Sequence, residues 1–242
     1  MMRSGNPALR ANTFTKVPVS SSAGTMTIQG TVNKTFILLF LTILSASWVW
    51  DNPIGFLPFL WPALIAGIVV GFVTIFKKEW ALVTAPFYAL IEGVVLGVIS
   101  ALIERSYPGI VIQAVGLTFS VLFCLLIAYK SKMIKVTDNF RLGVVAATGG
   151  IALLYIVSIV MGAFGTQIPF IHQAGPIGIG FSLFVIVIAS LNLVLDFDFI
   201  EKGAKYGAPK YMEWYGAFGL IMTLIWLYME ILRLLVKLQG RR

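Results

Sequence analysis

Seven long apolar runs separated by short polar connections dominate the pattern along the chain. A helix needs about 20 apolar residues to cross the hydrocarbon core of a bilayer, and each run approaches that length. The pattern predicts transmembrane helices at about residues 35–50, 54–76, 80–103, 109–129, 142–164, 177–199 and 214–236. Because the connections are short, we expect consecutive helices to be antiparallel neighbours.

Composition supports a membrane protein. The 242 residues are 59% hydrophobic and 12% charged, whereas a soluble domain carries about 25% charged residues. We therefore expect an all-α integral membrane protein with one membrane domain at residues 34–238. Residues 1–33 are polar and lack the apolar core of a signal peptide, so they are predicted to form a flexible tail. Residues 239–242 form a short basic tail.

The positive charges alternate from one connection to the next, which predicts an orientation. The amino-terminal stretch and the loops at 77–79, 130–141 and 200–213 carry thirteen Lys and Arg residues, whereas the alternate loops carry only Arg105. Since cytoplasmic loops collect Lys and Arg, the amino terminus is predicted to be cytoplasmic, in a bacterial-type plasma membrane. The net charge of +8 thus reflects topology, and no basic-aromatic module indicates nucleic acid. Cys124, the single cysteine, excludes an intrachain disulfide.

The carboxyl terminus departs from this charge rule. Arg233, Lys237, Arg241 and Arg242 cluster at the end that seven crossings would place outside. Either the last segment is re-entrant and its tail returns to the cytoplasm, or the earlier loops dominate and the chain crosses seven times. Seven crossings are the favoured interpretation.

Small residues recur one helical turn apart in two segments. Gly67 and Gly71 lie in the second segment, and Gly93 and Gly97 lie in the third. This spacing lets transmembrane helices approach closely, so we expect both pairs to lie at helix contacts.

Four acids lie in apolar surroundings: Glu92, Asp196, Asp198 and Glu230. Carboxylates inside a bilayer are costly and usually mark an ion or proton path. At about 1.5 Å of rise per residue, Asp196 lies roughly 5 Å, Glu92 roughly 18 Å and Glu230 roughly 24 Å from the inner face. Asp198 is interpreted as interfacial or as part of the following loop. The other three are predicted to line a path at staggered depths.

Neighbours one turn away suggest a partner for each of these three acids. Tyr88 could hydrogen-bond Glu92, and Asn192 precedes Asp196 by four residues. Arg233 follows Glu230 by three residues, so an ion pair within the helix would give Glu230 a structural role instead. Neither a metalloprotease HExxH, a GxSxG elbow nor a phosphate-binding Walker loop is present. We therefore predict no enzymatic activity, no cofactor and no fixed metal site.

Three stretches carry a family resemblance. They are residues 89–97 (ALIEGVVLG), 193–201 (LVLDFDFIE) and 227–235 (LYMEILRLL). In this order, on seven apolar segments, they resemble the Bax inhibitor (TMBIM) family, especially its bacterial branch, whose members also open with a short tail like residues 2–9. The likeness covers the whole membrane domain.

The resemblance implies a fold in which six helices surround a central seventh, and a pH-sensitive calcium leak. In the family, two acids on the last two helices are thought to gate the leak by sharing a proton. Asp196 matches the first acid, while the second aligns either with Glu230 or with Thr223. Glu92 matches the acid of the family's third-helix motif, so calcium would bind transiently at Asp196 and Glu92.

A different class of function stays open. The family has also been assigned roles as a membrane-embedded regulator, which binds another membrane protein such as a protease or a stress or death-pathway component and conducts nothing. A secondary transporter, by contrast, would show an internal inverted repeat and interrupted helices, and neither is evident in the sequence.

Overall fold

The computed structural model describes residues 24–165 and 175–240. These residues contain seven helices long and apolar enough to cross a membrane. We label them α1 (Ile28–Trp50), α2 (Pro53–Phe76), α3 (Ala81–Ser106), α4 (Ile110–Lys130), α5 (Asp138–Ala163), α6 (Pro176–Lys205) and α7 (Met212–Gln239). A single 3₁₀ turn at Lys78–Trp80 joins α2 to α3.

The helix count and most of the predicted boundaries are confirmed, and the largest differences lie at the predicted inner ends. Helix α1 begins at Ile28, because the Thr27 side chain caps its first turn by accepting from the Gly30 amide at 2.9 Å. The last residues of the expected 1–33 tail are therefore helical, and residues 1–23 lie outside the described part of the chain. At the other end, Gln239 closes α7, and Arg241 and Arg242 are likewise outside the described residues.

Helix α7 is the best-buried helix of the bundle. Four helices pack along it, namely α1, α3, α4 and α6, whereas α2 packs mainly on α3 and α5 mainly on α6. The 28 residues of α7 form one continuous helix, about 42 Å long at the usual rise. A re-entrant last segment would need a break that α7 does not have, so its geometry supports seven crossings.

Both glycine pairs lie at helix contacts, as their spacing predicts. A Cβ on Gly97 would lie 2.6 Å from the carbonyl oxygen of Ala46, so the backbones of α1 and α3 touch there. On α2, a Cβ at Gly67 would meet the Glu92 carboxylate at 2.8 Å, and one at Gly71 would meet the Tyr88 ring at 3.6 Å. Helix α3 is thus held between α1 and α2 through small residues.

Candidate functional site

Asp196 is completely buried, on the face of α6 that packs in the bundle. Helix α6 continues to Lys205, six residues beyond the predicted end of its apolar segment. Asp196 therefore lies nine residues, or about 14 Å, from the carboxyl-terminal end of its helix rather than near that end. An ionisable group at this depth is expensive and is the strongest candidate for function in the bundle.

Asn192, one turn before Asp196, is also buried and joins α6 to α5. Its side-chain amide donates to the Thr148 hydroxyl at 2.7 Å and to the Ile188 carbonyl at 2.9 Å. Its side-chain oxygen Oδ1 is buried without a hydrogen-bond partner. Asn192 and Asp196 therefore place two polar groups on one buried face of an otherwise apolar helix.

The register of the antiparallel α6–α7 hairpin decides which residues lie near Asp196. Phe199 is level with Tyr215, with ring centroids 6.4 Å apart, and Lys237 is level with Ser182, to which its Nζ donates at 2.8 Å. Counting between these contacts places Asp196 opposite residues 219–220. Thr223, which is buried, lies only about 5 Å further along α7, whereas Glu230 lies about 15 Å further along. Of the two candidates for the second gate position, this register therefore places Thr223 closer to Asp196 than Glu230.

Glu230 instead belongs to a buried group that joins α5 to α7. The Tyr155 hydroxyl donates to its Oε1 at 2.7 Å, and Arg233 Nη1 donates to its two carboxylate oxygens at 2.9 and 3.1 Å. Arg233 Nη1 also donates to the Tyr155 oxygen at 2.7 Å. The predicted pair between Glu230 and Arg233 is present, and sequence alone missed its third member, Tyr155.

The same region holds two of the four positive charges that contradict the charge rule, Arg233 and Lys237. Arg233 is neutralised by Glu230, and the buried Lys237 Nζ donates to the Gly178 carbonyl at 3.0 Å and to the Ser182 hydroxyl. Both cations are bonded within the bundle, so they are less informative about sidedness than loop residues are.

Glu92 lies at the contact between α2 and α3, beside Gly67 and mostly shielded from solvent. Tyr88 hydrogen-bonds its carboxylate, the partner that the spacing suggested. The Tyr88 ring also packs edge-on against Phe218 of α7, with centroids 4.9 Å apart. Glu92 therefore occupies a different helix contact from Asp196, and Tyr88 connects it to α7.

The placement of Asp198 in the loop after the sixth segment is wrong, and its placement at the membrane interface stays a prediction. Asp198 lies within α6, is 8% exposed, and accepts from Arg141 Nη2 of α5 at 2.5 Å and from Lys202 Nζ at 2.8 Å. Arg141, counted as a loop cation, lies in the first turn of α5 and is itself buried. Reasoning from the sequence assigned both residues to loops or interfaces because the apolar runs stop near them. The helices continue past these runs, and the ion pair between Arg141 and Asp198 joins the continued segments.

Glu213 is a further buried acid that sequence reasoning did not identify. Its carboxylate accepts from the Thr27 amide at 3.0 Å and from the Thr27 hydroxyl at 2.9 Å, and it forms an ion pair with Lys34. An anion is favourable at the amino-terminal end of a helix such as α1. Its partners precede it by about 180 residues, and no local pattern signals such a contact.

Within the described residues, no three His, Cys, Asp or Glu side chains are grouped closely enough to hold a metal ion. A cation at Asp196 or Glu92 would therefore depend on hydroxyl, amide and backbone oxygens as additional ligands.

Comparisons with known proteins identify the family but add no closer relative. Neither a curated protein nor a solved structure matches the chain. The family described as Bax inhibitor 1 like matches residues 6–240, nearly the whole length. Together with the seven apolar helices, this match shows that the chain belongs to the Bax inhibitor 1-like family of membrane proteins.

Proposed function

We propose that this protein lets cations, most plausibly calcium, move passively across a membrane, with Asp196 as the pH-dependent gate. The observation that supports this proposal is the complete burial of the Asp196 carboxylate within an apolar helix that packs on α7. Burying such a group costs stability, so its presence favours a functional role. The fold proposed with it has α7 at the centre of six helices and the amino terminus in the cytoplasm.

Gating would follow from the charge of the carboxylate. In the family scheme, two nearby carboxylates cannot both ionise cheaply, so one proton holds them together and closes the path. Here the candidate for the second position that lies closer to Asp196 by register is Thr223, which carries no charge. Protonation of Asp196 alone would then control the path, and its dependence on pH would follow a single group rather than a pair.

Glu92 is proposed as a second cation or proton site. It lies between α2 and α3 and is linked through Tyr88 to Phe218 of α7. Glu230 has weaker support as a site on the path, because Arg233 already neutralises it and Tyr155 occupies one of its oxygens. We assign Glu230 chiefly to the contact between α5 and α7.

The test is calcium flux into proteoliposomes, measured from about pH 4 to 8, a range that covers the usual carboxylate pKa of about 4 and values a few units above it. Asp196→Asn removes the charge with little change in shape, and Asp138→Asn is the matched control, since Asp138 is 86% exposed. We expect Asp196→Asn to abolish the pH dependence and the control to preserve it. Flux and a pH profile that Asp196→Asn leaves unchanged would end the gating proposal.

A second candidate is a regulator that conducts nothing and binds another membrane protein. Of the four acids that are buried within the described residues, three are held in ion pairs: Asp198, Glu213 and Glu230. Acids held in ion pairs are consistent with a protein that keeps one structure and conducts no ions. A regulator would tolerate Glu92→Gln and Asp196→Asn but would depend on its loops or tail, and a leak would show the opposite.

A further inference from the structure

A groove opens between α1 and α4, with α7 as its floor and α3 along one side. It encloses about 240 Å³, and part of its wall is exposed, including Ile43 at 56%. All four helices are candidate membrane spans. The open side of the groove therefore faces the hydrocarbon of the bilayer rather than water.

The groove presents carbon rather than polar atoms to an occupant. Thr42 and Thr118 donate to carbonyls one turn back on their own helices, at 2.9 and 2.8 Å. Ser100 and Tyr228 hydrogen-bond each other at 2.7 Å across the contact between α3 and α7. With these four hydroxyls engaged, and with Ser47 as the one other hydroxyl in the described lining, an ion or polar ligand would lose most of its solvation without replacement, so the groove suits an apolar group.

Size restricts which apolar group can enter. A transmembrane helix is about 10–12 Å across with its side chains, too wide for a groove of this volume. A dry apolar cavity of about 150 Å³ already accepts a benzene molecule, so this groove has room for a longer hydrocarbon. Along α1 it runs from Leu39 to Trp50, about 16 Å of helix. A narrow, elongated hydrocarbon chain fits both the volume and the length of the groove.

A positive charge lies at one end of the groove. Trp50 lines that end and closes α1, and Arg105 Nη2 donates to the carbonyl of the next residue, Asp51, at 3.2 Å. Arg105 is exposed, and the Glu104 carboxylate at the same end of the groove already accepts from the Gly109 and Val111 amides. Trp residues favour the level of the lipid headgroups, where a guanidinium can bind phosphate through two parallel hydrogen bonds.

From these observations we propose that the groove binds one acyl chain of a phospholipid, whose phosphate group contacts Arg105. The bilayer supplies the ligand, and the chain fills the space between α1 and α4 that the protein leaves open. This site is separate from Asp196 and does not depend on the proposed cation leak.

The experiment uses the full-length protein in bilayer nanodiscs that contain a phospholipid with a photoreactive diazirine in one acyl chain. After illumination, peptide mass spectrometry locates the adducts. We expect adducts concentrated on the groove faces of α1 and α4. Val115→Phe, which fills the groove from α4, should lower that labelling by roughly tenfold. Val69→Phe is the matched control, because Val69 is an exposed residue of α2 outside the groove.

A second experiment tests binding of the lipid's acyl chain separately from binding of its phosphate headgroup. Arg105→Gln should weaken retention of the phospholipid in native mass spectrometry but leave labelling by a diazirine fatty alcohol, which carries no anionic group, unchanged. If adducts on the wild-type protein are spread evenly over all exposed helices, the proposal is overturned. This outcome does not depend on any variant. Cross-links that join groove residues of two protein copies would assign the groove to a protein interface and would overturn it as well.

Discussion

Arg141 of α5 and Asp198 of α6 form a buried ion pair, with Nη2 and Oδ2 2.5 Å apart. Lys202, one turn further along α6, contacts the same carboxylate at 2.8 Å. A further polar link between the two helices is the hydrogen bond from Asn192 to the Thr148 hydroxyl, at 2.7 Å. The pair therefore connects α5 to the bundle at the end where α6 extends beyond its apolar segment.

Removal of one partner should be costly. Arg141→Met leaves the Asp198 carboxylate buried with Lys202 alone, and we expect a loss of about 3 kcal/mol, the lower end for a broken buried pair. The measurement is thermal or denaturant unfolding in detergent. Asp198→Leu combined with Arg141→Met should recover much of this loss, because the buried carboxylate is removed as well and the partly exposed Lys202 can extend to solvent. Equal losses for the single and double variants would contradict the pairing.

Alanine at Gly97 should separate α1 from α3. The added Cβ would lie 2.6 Å from the Ala46 carbonyl oxygen and 2.7 Å from its Cα, and backbone atoms cannot move aside cheaply. We expect a loss of about 1–3 kcal/mol, as for other overpacked contacts. Gly116→Ala is the control, since nothing lies within 4 Å of its Cβ. It should be neutral or stabilising by up to about 1 kcal/mol through helix propensity.

Glu213→Gln should loosen the start of α1. The change removes the ion pair with Lys34 and weakens the bonds from Thr27, so residues 24–34 should exchange their amide hydrogens faster. Loss of a charged hydrogen bond of this kind costs about 1.5–3 kcal/mol. Glu79→Gln, at an exposed position, should leave exchange unchanged. Equal exchange in both variants would show that Glu213 does not anchor this segment.

Glu230→Gln tests whether Glu230 stabilises the fold or takes part in gating. Without the negative charge of Glu230, Arg233 keeps the Tyr155 hydroxyl as a partner but loses its counter-charge. We expect lower thermal stability and, in proteoliposomes, a flux–pH curve with the wild-type midpoint. A shifted midpoint would instead place Glu230 on the cation path.

Thr223→Asp tests the register between α6 and α7. The change places a second carboxylate near Asp196, and two close carboxylates retain a shared proton more readily than one. If the proposed leak operates, its flux–pH curve should move to higher pH. Ile225→Asp, two residues along and therefore on the opposite side of α7, is a control for an added acid, and we expect it to impair folding without such a shift.

The pattern of apolar runs determined the number and type of the helices, because each transmembrane helix satisfies its own backbone within one continuous segment. It also located the glycine contacts and the pairing of Glu230 with Arg233, since both depend on spacing within one helix. The three motifs indicated the family, and the match over residues 6–240 confirms it.

Relations between helices were decided only by the tertiary structure. The sequence left open whether Glu230 or Thr223 lies near Asp196, and the α6–α7 register favours Thr223. Asp198 and Glu213 are neutralised by Arg141 and Lys34, which lie 57 and 179 positions away along the chain. The physical reason is that a buried charge needs a partner in space, and sequence spacing carries no information about partners on other helices.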